Sequence, residues 1–286
     1  MDRLTQRQRA MDLLALHRRG EPVVLINAWD VVSAKLVERS GARAIATTSA
    51  GVAWALGYPD GERIPRDEML SVVERIARAV SLPVTADLEA GYGPRASDVA
   101  DTVRLAIEAG AVGMNLEDAV EEHDADGPRV LALDRAVERV AAARAAADAR
   151  DIHFVINART DVFLRAVGDP ATRLAHAVER ANAYRAAGAD SLFVPGVRDA
   201  ETIGALARDI DGPLNVVVSP GIPPLAELAR LGVGRVSLGA GAMRAALGML
   251  VRATTSLAET GTFDAFVDGA LRSVDLDAMM GSAQAG

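Results

Sequence analysis

The sequence alternates eight short apolar runs with longer amphipathic segments along almost its whole length. Each run is bounded by Gly, Pro or Asp and is rich in Val, Ile and Leu, which is typical of strands buried on both faces of a parallel sheet. Eight strands that each lead into a helix predict an α/β fold, the (β/α)₈ TIM barrel, whose usual size of about 250 residues suits this chain. An open doubly wound sheet, with roughly five to seven strands, is the second choice. The eight runs are 22–30, 42–51, 83–91, 111–118, 153–161, 190–196, 213–221 and 235–241.

Helical patterns fill the intervals between these runs and flank the barrel at both ends. A helix over 4–19 precedes the first strand, and helical segments over 240–258 and 261–272 follow the last one. Ser97 and Asp134 occupy positions where helix N-caps are expected. No linker-like Gly/Ser/Pro tract divides the chain, so we expect residues 1–286 to form a single barrel domain with an N-terminal helix and a C-terminal helical extension.

Composition excludes several classes of protein. The chain has 31 basic and 39 acidic residues, a formal net charge of −8, which argues against binding to a nucleic-acid backbone. No uncharged apolar run is long enough to span a membrane. Cysteine is absent, which removes disulfides, thiolate metal sites and cysteine nucleophiles. Together with an N-terminus unlike a secretory signal, this predicts a cytoplasmic protein, although zero cysteines also suit an oxidising compartment.

Polar residues gather at the carboxyl ends of the predicted strands, where TIM barrels build their active sites. Asp87 and Glu89 end the third strand and lie two residues apart, so they should share a face. Glu117 ends the neighbouring strand, so the three carboxylates should converge. Such a set suits a hard cation such as Mg²⁺, which leaves positions free for substrate oxygens. The alternative is that these acids cap helices or pair with arginines.

Arg159 ends the fifth strand and faces the same mouth. A guanidinium beside a cation suits an anionic substrate, because it can grip a carboxylate with two hydrogen bonds. A structural ion pair with Asp161 is an equally good interpretation.

Other signals at this end are weaker. The loop 57–65 has the composition of an ordinary turn, and 237–247 offers a Gly-rich stretch before a helix without a strict phosphate-binding motif. His123 follows the fourth strand and is more typical of a solvated residue than of a catalytic one.

Six segments together resemble the isocitrate lyase/phosphoenolpyruvate mutase superfamily. The resemblance runs from about residue 5 to about residue 275, and the AD-x-E-x-GYG and ARTD segments are its most specific parts. The segments are NAWD (27–30), TTSAG (47–51), GYPDGE (57–62), TADLEAGYG (85–93), GMNLED (113–118) and INARTD (156–161).

The resemblance implies a barrel whose C-terminal helices are swapped between the subunits of a homo-oligomer, a dimer or more usually a homotetramer. It implies Mg²⁺ as the cofactor, with Mn²⁺ as a substitute. Asp87 would bind the cation directly, and Glu89 and Glu117 directly or through water. Asp60 and Arg159 would act on the substrate. The residues expected to bind the substrate are Trp29, Asp30, Ser49, Ala50, Gly51 and Arg159, and Asn215 joins them as a polar residue at the mouth.

The segment after the fourth strand departs from the family pattern. Isocitrate and methylisocitrate lyases carry a Lys-Lys/Arg-Cys-Gly-His motif there, whose cysteine acts as an acid, and this chain has no cysteine. Phosphonomutases and phosphonopyruvate hydrolases have lysine and asparagine there, whereas residues 119–127 contain neither. Both departures weaken those activities.

Three functions therefore stay open. The first is a carbon–carbon lyase, an oxaloacetate decarboxylase-like enzyme that cleaves a small 2-oxo dicarboxylate with Mg²⁺ through a metal-stabilised enolate. Decarboxylation is favoured because CO₂ leaves without a base, so it needs fewer acid–base groups than aldol-type cleavage. The second is phosphonomutase or phosphonopyruvate hydrolase chemistry at a phosphorus–carbon bond. The third is a barrel that binds small acids without turnover.

Overall fold

The computed structural model describes residues 2–120 and 130–281. Its sheet contains nine parallel strand segments in the spatial order β1-β9-β8-β7-β6-β5-β4-β3-β2. The segments are β1 (Val23–Leu25), β2 (Asn27–Ala28), β3 (Ile45–Thr47), β4 (Val84–Asp87), β5 (Gly113–Glu117), β6 (Val155–Arg159), β7 (Ser191–Phe193), β8 (Leu214–Val217) and β9 (Arg235–Ser237).

The nine segments form the eight predicted strands, because β1 and β2 are one strand interrupted at Ile26. β1 pairs with β9 and β2 pairs with β3, so the sheet is nearly closed into a barrel. The side chain of Asn27 bridges the interruption. Its Nδ2 donates to the carbonyl of Thr47 at 2.7 Å, and its Oδ1 accepts from the backbone N–H groups of Leu238 and Gly239 at 3.0 and 2.9 Å. The predicted TIM-barrel fold is confirmed.

Helices surround the barrel and follow the predicted alternation. They are α1 (Arg3–Leu16), α2 (Val31–Arg39), α3 (Ser49–Ala55), α4 (Arg66–Ala79), α5 (Ala96–Glu108), α6 (Leu133–Asp148), α7 (Arg173–Ala186), α8 (Ala200–Asp209), α9 (Leu225–Arg230), α10 (Gly241–Thr260), α11 (Asp264–Val267) and α12 (Ser273–Gly281). No helix among the described residues is long and apolar enough to cross a membrane.

Several predicted boundaries were wrong. The strand expected over 42–51 ends at Thr47, and Ser49 already opens a helix, because Thr48 accepts from the backbone of Gly51 as an N-cap. The N-caps of α5 and α6 are Arg95 and Ala132, so Ser97 and Asp134 lie inside the first turns. The helix expected over 261–272 is replaced by α11 and the separate α12.

The C-terminal helices differ in how they pack. Lys35 of α2 is buried and donates through Nζ to the carbonyl of Met279 at 2.8 Å, which holds α12 on its own chain. By contrast, α10 and α11 expose large apolar side chains, namely Leu247, Met249, Leu250, Val251, Phe266 and Val267. The exchange of these helices between subunits stays a prediction, as does a single domain over residues 1–286.

Candidate active site

The carboxyl ends of β4, β5 and β6 bring Asp87, Glu117 and Arg159 to one end of the barrel. Register places Asp87 beside Asn115, and Glu117 beside Arg159, on neighbouring strands. The loop after β4 adds Glu89. We call Asp87, Glu89 and Glu117 the acid cluster.

Asp87 is held by donors on both of its oxygens. Its Oδ2 accepts from the backbone N–H and the hydroxyl of Ser49 at 3.1 and 2.8 Å. Its Oδ1 accepts from Nδ2 of Asn115 at 3.2 Å. Ser49, predicted to bind the substrate, therefore donates to a member of the acid cluster in this structure.

Glu89 reaches the cluster by a turn and not by strand alternation. β4 ends at Asp87, and Glu89 has a left-handed backbone with φ of 51°. Its side chain is buried, and burial raises the pKa of its carboxyl to about 9, with the neighbouring charges of Asp87, Glu117 and Asp60 adding to the rise. Its Oε2 accepts from the backbone N–H of Glu62 at 2.5 Å, whereas its Oε1 is buried and has no hydrogen-bond partner among the described residues. The strand argument for its position was wrong, although the turn still brings it to Asp87.

Arg159 lies between two carboxylates. Its Nε and Nη2 donate to the two oxygens of Asp161 at 2.6 and 2.9 Å, and its Nη1 lies 2.6 Å from Oε2 of Glu117. Burial acts against the charge, but Glu117 and Asp161 raise the pKa of the guanidinium above its ordinary value. The ion pair with Asp161, one of the two interpretations left open, is present. These contacts use three of the five N–H groups of the guanidinium, so a substrate can reach Arg159 at the second N–H of each Nη group.

Asp60 lies in the loop between α3 and α4, at the rim. Its side chain stays exposed to solvent, yet the protein atoms around it raise the pKa of its carboxyl, and the charge of Asp87 adds to this effect. The attraction of Arg159 acts in the opposite direction. The charges of both residues thus act on Asp60, consistent with a place beside the acid cluster.

The remaining predicted residues lie at or below this end of the barrel. Ala50 and Gly51 are in the first turn of α3, and a Cβ on Gly51 would stand 3.1 Å from Cβ of Trp29. Asp30 caps α2 by accepting from the backbone N–H of Ser33 at 2.7 Å, so its carboxylate is occupied as a helix cap. Asn215 is fully buried inside the barrel, where its Oδ1 accepts from the hydroxyl of Ser237 at 3.2 Å. His123 lies outside the described residues.

The acid cluster fits a hard divalent cation in its chemistry but is not arranged around one. Within residues 2–120 and 130–281, no three Asp, Glu or His side chains stand in a ligating arrangement. Buried carboxylates that repel one another, with Glu89 Oε1 lacking any partner, are nevertheless the donors that Mg²⁺ prefers. To join such a site, Glu117 would exchange its contact with Arg159 for the cation or reach it through water.

Two supporting groups were not predicted as site residues. One is Asn115 of β5: its Oδ1 accepts from Asn157 at 2.8 Å and from the buried Arg235 at 3.2 Å, which turns its Nδ2 toward Asp87. The sequence feature that could have revealed this support is Arg235, a charged residue in the otherwise apolar run 235–241. A buried cluster beneath Arg159 joins Asp118, Arg180 and Tyr184, and no local pattern marks it.

The family profile and the similar proteins all indicate the same family. A profile of the phosphoenolpyruvate phosphomutase family matches residues 13–258. The chain is 35% identical to the uncharacterized protein Rv1998c of Mycobacterium tuberculosis over 78% of this chain and 80% of that one. It is 35% identical to 2-methylisocitrate lyase of Escherichia coli K12 over 68% and 65% of the two chains, and 32% identical to oxaloacetate decarboxylase of Paraburkholderia xenovorans LB400 over 76% and 70%.

Solved structures agree with these relatives. A Burkholderia cenocepacia J2315 protein with a provisional lyase/mutase designation superposes with a TM-score of 0.88 at 42% identity, over 96% of both chains. Phosphonopyruvate hydrolase in complex with oxalate and Mg²⁺ superposes with a TM-score of 0.81 at 28% identity, over 96% of this chain and 95% of that one. The chain therefore belongs to the phosphoenolpyruvate phosphomutase family, within the isocitrate lyase/phosphoenolpyruvate mutase superfamily of enzymes.

Proposed function

We propose that this chain is a Mg²⁺-dependent carbon–carbon lyase that decarboxylates oxaloacetate or a closely related small 2-oxo dicarboxylate. The observation that carries the proposal is the pairing of Arg159 with the acid cluster at the barrel mouth, in a chain without cysteine. That pairing offers a place for an anion beside a place for a cation. The cysteine acid of the isocitrate lyases is missing, and decarboxylation is the family reaction that needs it least.

Arg159 holds the substrate by its Nη groups. Asp161 occupies Nε and one Nη, which fixes the plane of the guanidinium, and Glu117 occupies the other Nη. Each Nη group keeps a second N–H, which can donate to a substrate carboxylate. Ser49, Ala50 and Gly51 lie in the first turn of α3 beside Asp87; Ser49 now donates to Asp87 and Gly51 to Thr48, so these two residues would exchange those bonds to bind a substrate carboxylate.

The reaction breaks the bond between C3 and C4 of oxaloacetate. C4 leaves as CO₂, the electron pair of that bond forms the enolate of pyruvate, and a proton added at C3 completes pyruvate. Asp60 is suited to deliver that proton, because its raised pKa keeps its carboxyl protonated to higher pH than an ordinary aspartate. Asp87, Glu89 and Glu117 would hold Mg²⁺, or Mn²⁺ in its place, and the cation would supply Lewis-acid charge that stabilises the enolate.

Similarity to known proteins supports this choice and a second candidate. One relative at 32% identity is named oxaloacetate decarboxylase. The family profile carries the name of a phosphomutase, and the hydrolase complexed with oxalate and Mg²⁺ acts on a phosphonate. Chemistry at the phosphorus–carbon bond of a phosphonate is therefore the second candidate.

A side-by-side turnover assay tests the proposal. Oxaloacetate, dimethylmalate, methylisocitrate and phosphonopyruvate are each mixed with the protein and Mg²⁺, and release of pyruvate, propionate, succinate or phosphate is followed against Mg²⁺ alone. We expect pyruvate from oxaloacetate above the metal-only rate, and a large loss of that rate in Asp60→Asn. No acceleration with oxaloacetate, together with phosphate release from phosphonopyruvate, would replace the proposal by the second candidate. Binding of oxalate without turnover of any substrate would indicate a non-catalytic barrel.

We also propose that α10 and α11 pack against another copy of this chain, as a dimer or tetramer. Their exposed apolar side chains support this, since Leu250, Val251 and Val267 are each more than half exposed. We propose in addition that the protein is cytoplasmic, on the basis of the composition alone.

A further inference from the structure

Two loops at the barrel mouth hold each other by reciprocal hydrogen bonds. The backbone N–H of Glu62, in the loop 57–65, donates to Oε2 of Glu89 at 2.5 Å. The side chain of Glu62 returns the contact, because its Oε1 accepts from the backbone N–H of Tyr92 at 2.7 Å. One residue of the first loop therefore binds the loop 88–93 through both its main chain and its side chain.

The three residues of this contact share an uncommon backbone conformation. Glu62, Glu89 and Tyr92 have φ of 54°, 51° and 60°, in the left-handed region that residues with side chains rarely adopt. Across the described residues, only Asp151 and Ala166 share this feature among non-glycines. Such conformations persist where the surrounding contacts determine them, and they concentrate at functional sites. The reciprocal bonds supply those contacts.

The loop 88–93 is itself fixed to the barrel. The backbone N–H of Glu117 donates to the carbonyl of Glu89 at 2.9 Å, which ties the loop to the end of β5. Arg139 of α6 is buried and donates to the carbonyls of Ala90 and Gly93. The loop 88–93 is thus a rigid support on which the loop 57–65 rests.

We propose that Glu62 is a positioning residue that fastens the loop 57–65 to this support and thereby sets where Asp60 stands relative to Asp87. Asp60 precedes Glu62 by two residues, with Gly61 between them at φ of 93°, so its position follows that of Glu62. The catalytic part of this inference rests on the proposed function, through the role given there to Asp60.

Two substitutions of Glu62 distinguish the loss of its hydrogen bond to Tyr92 from the loss of its negative charge. Glu62→Gln keeps an Oε1 that accepts from Tyr92, so we expect oxaloacetate turnover within about 3-fold of wild type. Glu62→Ala removes that acceptor and should lower kcat by about 10- to 100-fold with little change in KM, since small displacements of a reacting group cost rates of that order. The matched control is Glu68→Ala, which removes an exposed carboxylate that bonds the same loop through Tyr58 Oη; it should behave as wild type.

A double variant tests whether Glu62 acts through Asp60. We expect Asp60→Asn combined with Glu62→Ala to be no slower than Asp60→Asn alone. Multiplied losses would overturn the inference, because they would show that Glu62 acts independently of Asp60. Equal losses in Glu62→Gln and Glu62→Ala would overturn it too.

Hydrogen exchange of the metal-free protein gives a readout that does not depend on the reaction. In Glu62→Ala, the amides of residues 57, 58 and 60–64 and of Tyr92 should exchange at least about 10-fold faster, while strands β4–β6 keep wild-type exchange and so report an intact fold. Glu62→Gln and Glu68→Ala should leave this exchange unchanged. Unchanged exchange in Glu62→Ala would refute the fastening role, whereas a fully active Asp60→Asn would refute only the proposed role of Asp60 in the reaction.

Discussion

Breaking the ion pair between Arg180 and Asp118 should destabilise the barrel strongly. Both side chains are almost completely buried, at 3% and 1% exposure, and Nε of Arg180 lies 2.8 Å from Oδ2 of Asp118. The same oxygen accepts from the hydroxyl of Tyr184 at 2.6 Å, and Oδ1 accepts from the backbone N–H of Asp161 at 2.9 Å. Arg180 also donates to the carbonyl of Leu131 at 2.8 Å. Asp118 therefore has one cationic partner and two neutral donors.

The expected loss of unfolding free energy depends on which buried groups each substitution leaves without a partner. Arg180→Met leaves a buried carboxylate without its counter-charge, which costs about 3–5 kcal/mol of unfolding free energy. Tyr184→Phe removes the hydrogen bond that the hydroxyl donates to Asp118 and the one that it accepts from Nε of Arg180. Because Nε keeps Asp118 as an acceptor, the cost stays near that of one hydrogen bond to a charged group, about 1.5–3 kcal/mol. Arg208→Met is the control, because its pair with Asp209 is 70% and 40% exposed and such pairs contribute about 1 kcal/mol or less.

Urea unfolding followed by circular dichroism measures the three variants under one condition. We expect the urea midpoint to drop least for Arg208→Met, more for Tyr184→Phe and most for Arg180→Met. The slope of unfolding free energy against urea concentration should be the same for all three. A loss for Arg180→Met no larger than that of the control would refute the reasoning, since the buried carboxylate would then not depend on its counter-charge.

The remaining predictions concern the metal, the guanidinium, pH and assembly. EDTA should abolish turnover and Mg²⁺ or Mn²⁺ should restore it, while Asp87→Ala should lose activity and keep its circular dichroism; unchanged metal affinity in that variant would make the acids structural. Arg159→Lys should lose about 2 kcal/mol or more of kcat/KM, because an ammonium cannot reproduce the planar contact with Asp161 and still reach a substrate, and wild-type kinetics would contradict this. Burial, with the nearby charge of Arg235, lowers the pKa of His17 to about 4 from 6.5. The unfolded chain therefore takes up this proton before the native one, so stability should fall by up to about 3 kcal/mol as pH drops from 6.5 to 4, and His17→Gln should remove that slope in urea titrations. Light scattering at micromolar concentration should show a dimer or tetramer; a monomer would contradict the packing proposed for α10 and α11.

The barrel could be predicted because buried parallel strands leave a direct mark on the sequence. Each apolar run between Gly, Pro and Asp became a strand, and the polar residues at its end reached the mouth, as Asp87, Glu117 and Arg159 did. The ends of the strands were less predictable, because they depend on where backbone pairing stops. Ser49 opens a helix where the local sequence still read as strand.

The partners of the site residues could not be predicted, because they come from distant parts of the chain. Asp30 reads as a pocket residue in the sequence, but its carboxylate caps a helix. Arg139, which holds the loop 88–93, and Arg180, which pairs with Asp118, belong to helices whose patterns mark them only as polar. Their buried positions are decided by tertiary packing and not by the local pattern.

The bridge made by Asn27 has a consequence for the time at which the barrel is completed during synthesis. Asn27 accepts from Leu238, which follows it by 211 positions. At about 5–20 residues per second, a ribosome needs about 10 to 40 s to pass from one to the other. Until then β1 has no partner strand, because β9 has not been made. The nascent chain therefore carries an open sheet edge of the kind that promotes aggregation, and a chain that terminates before Arg235 keeps it permanently.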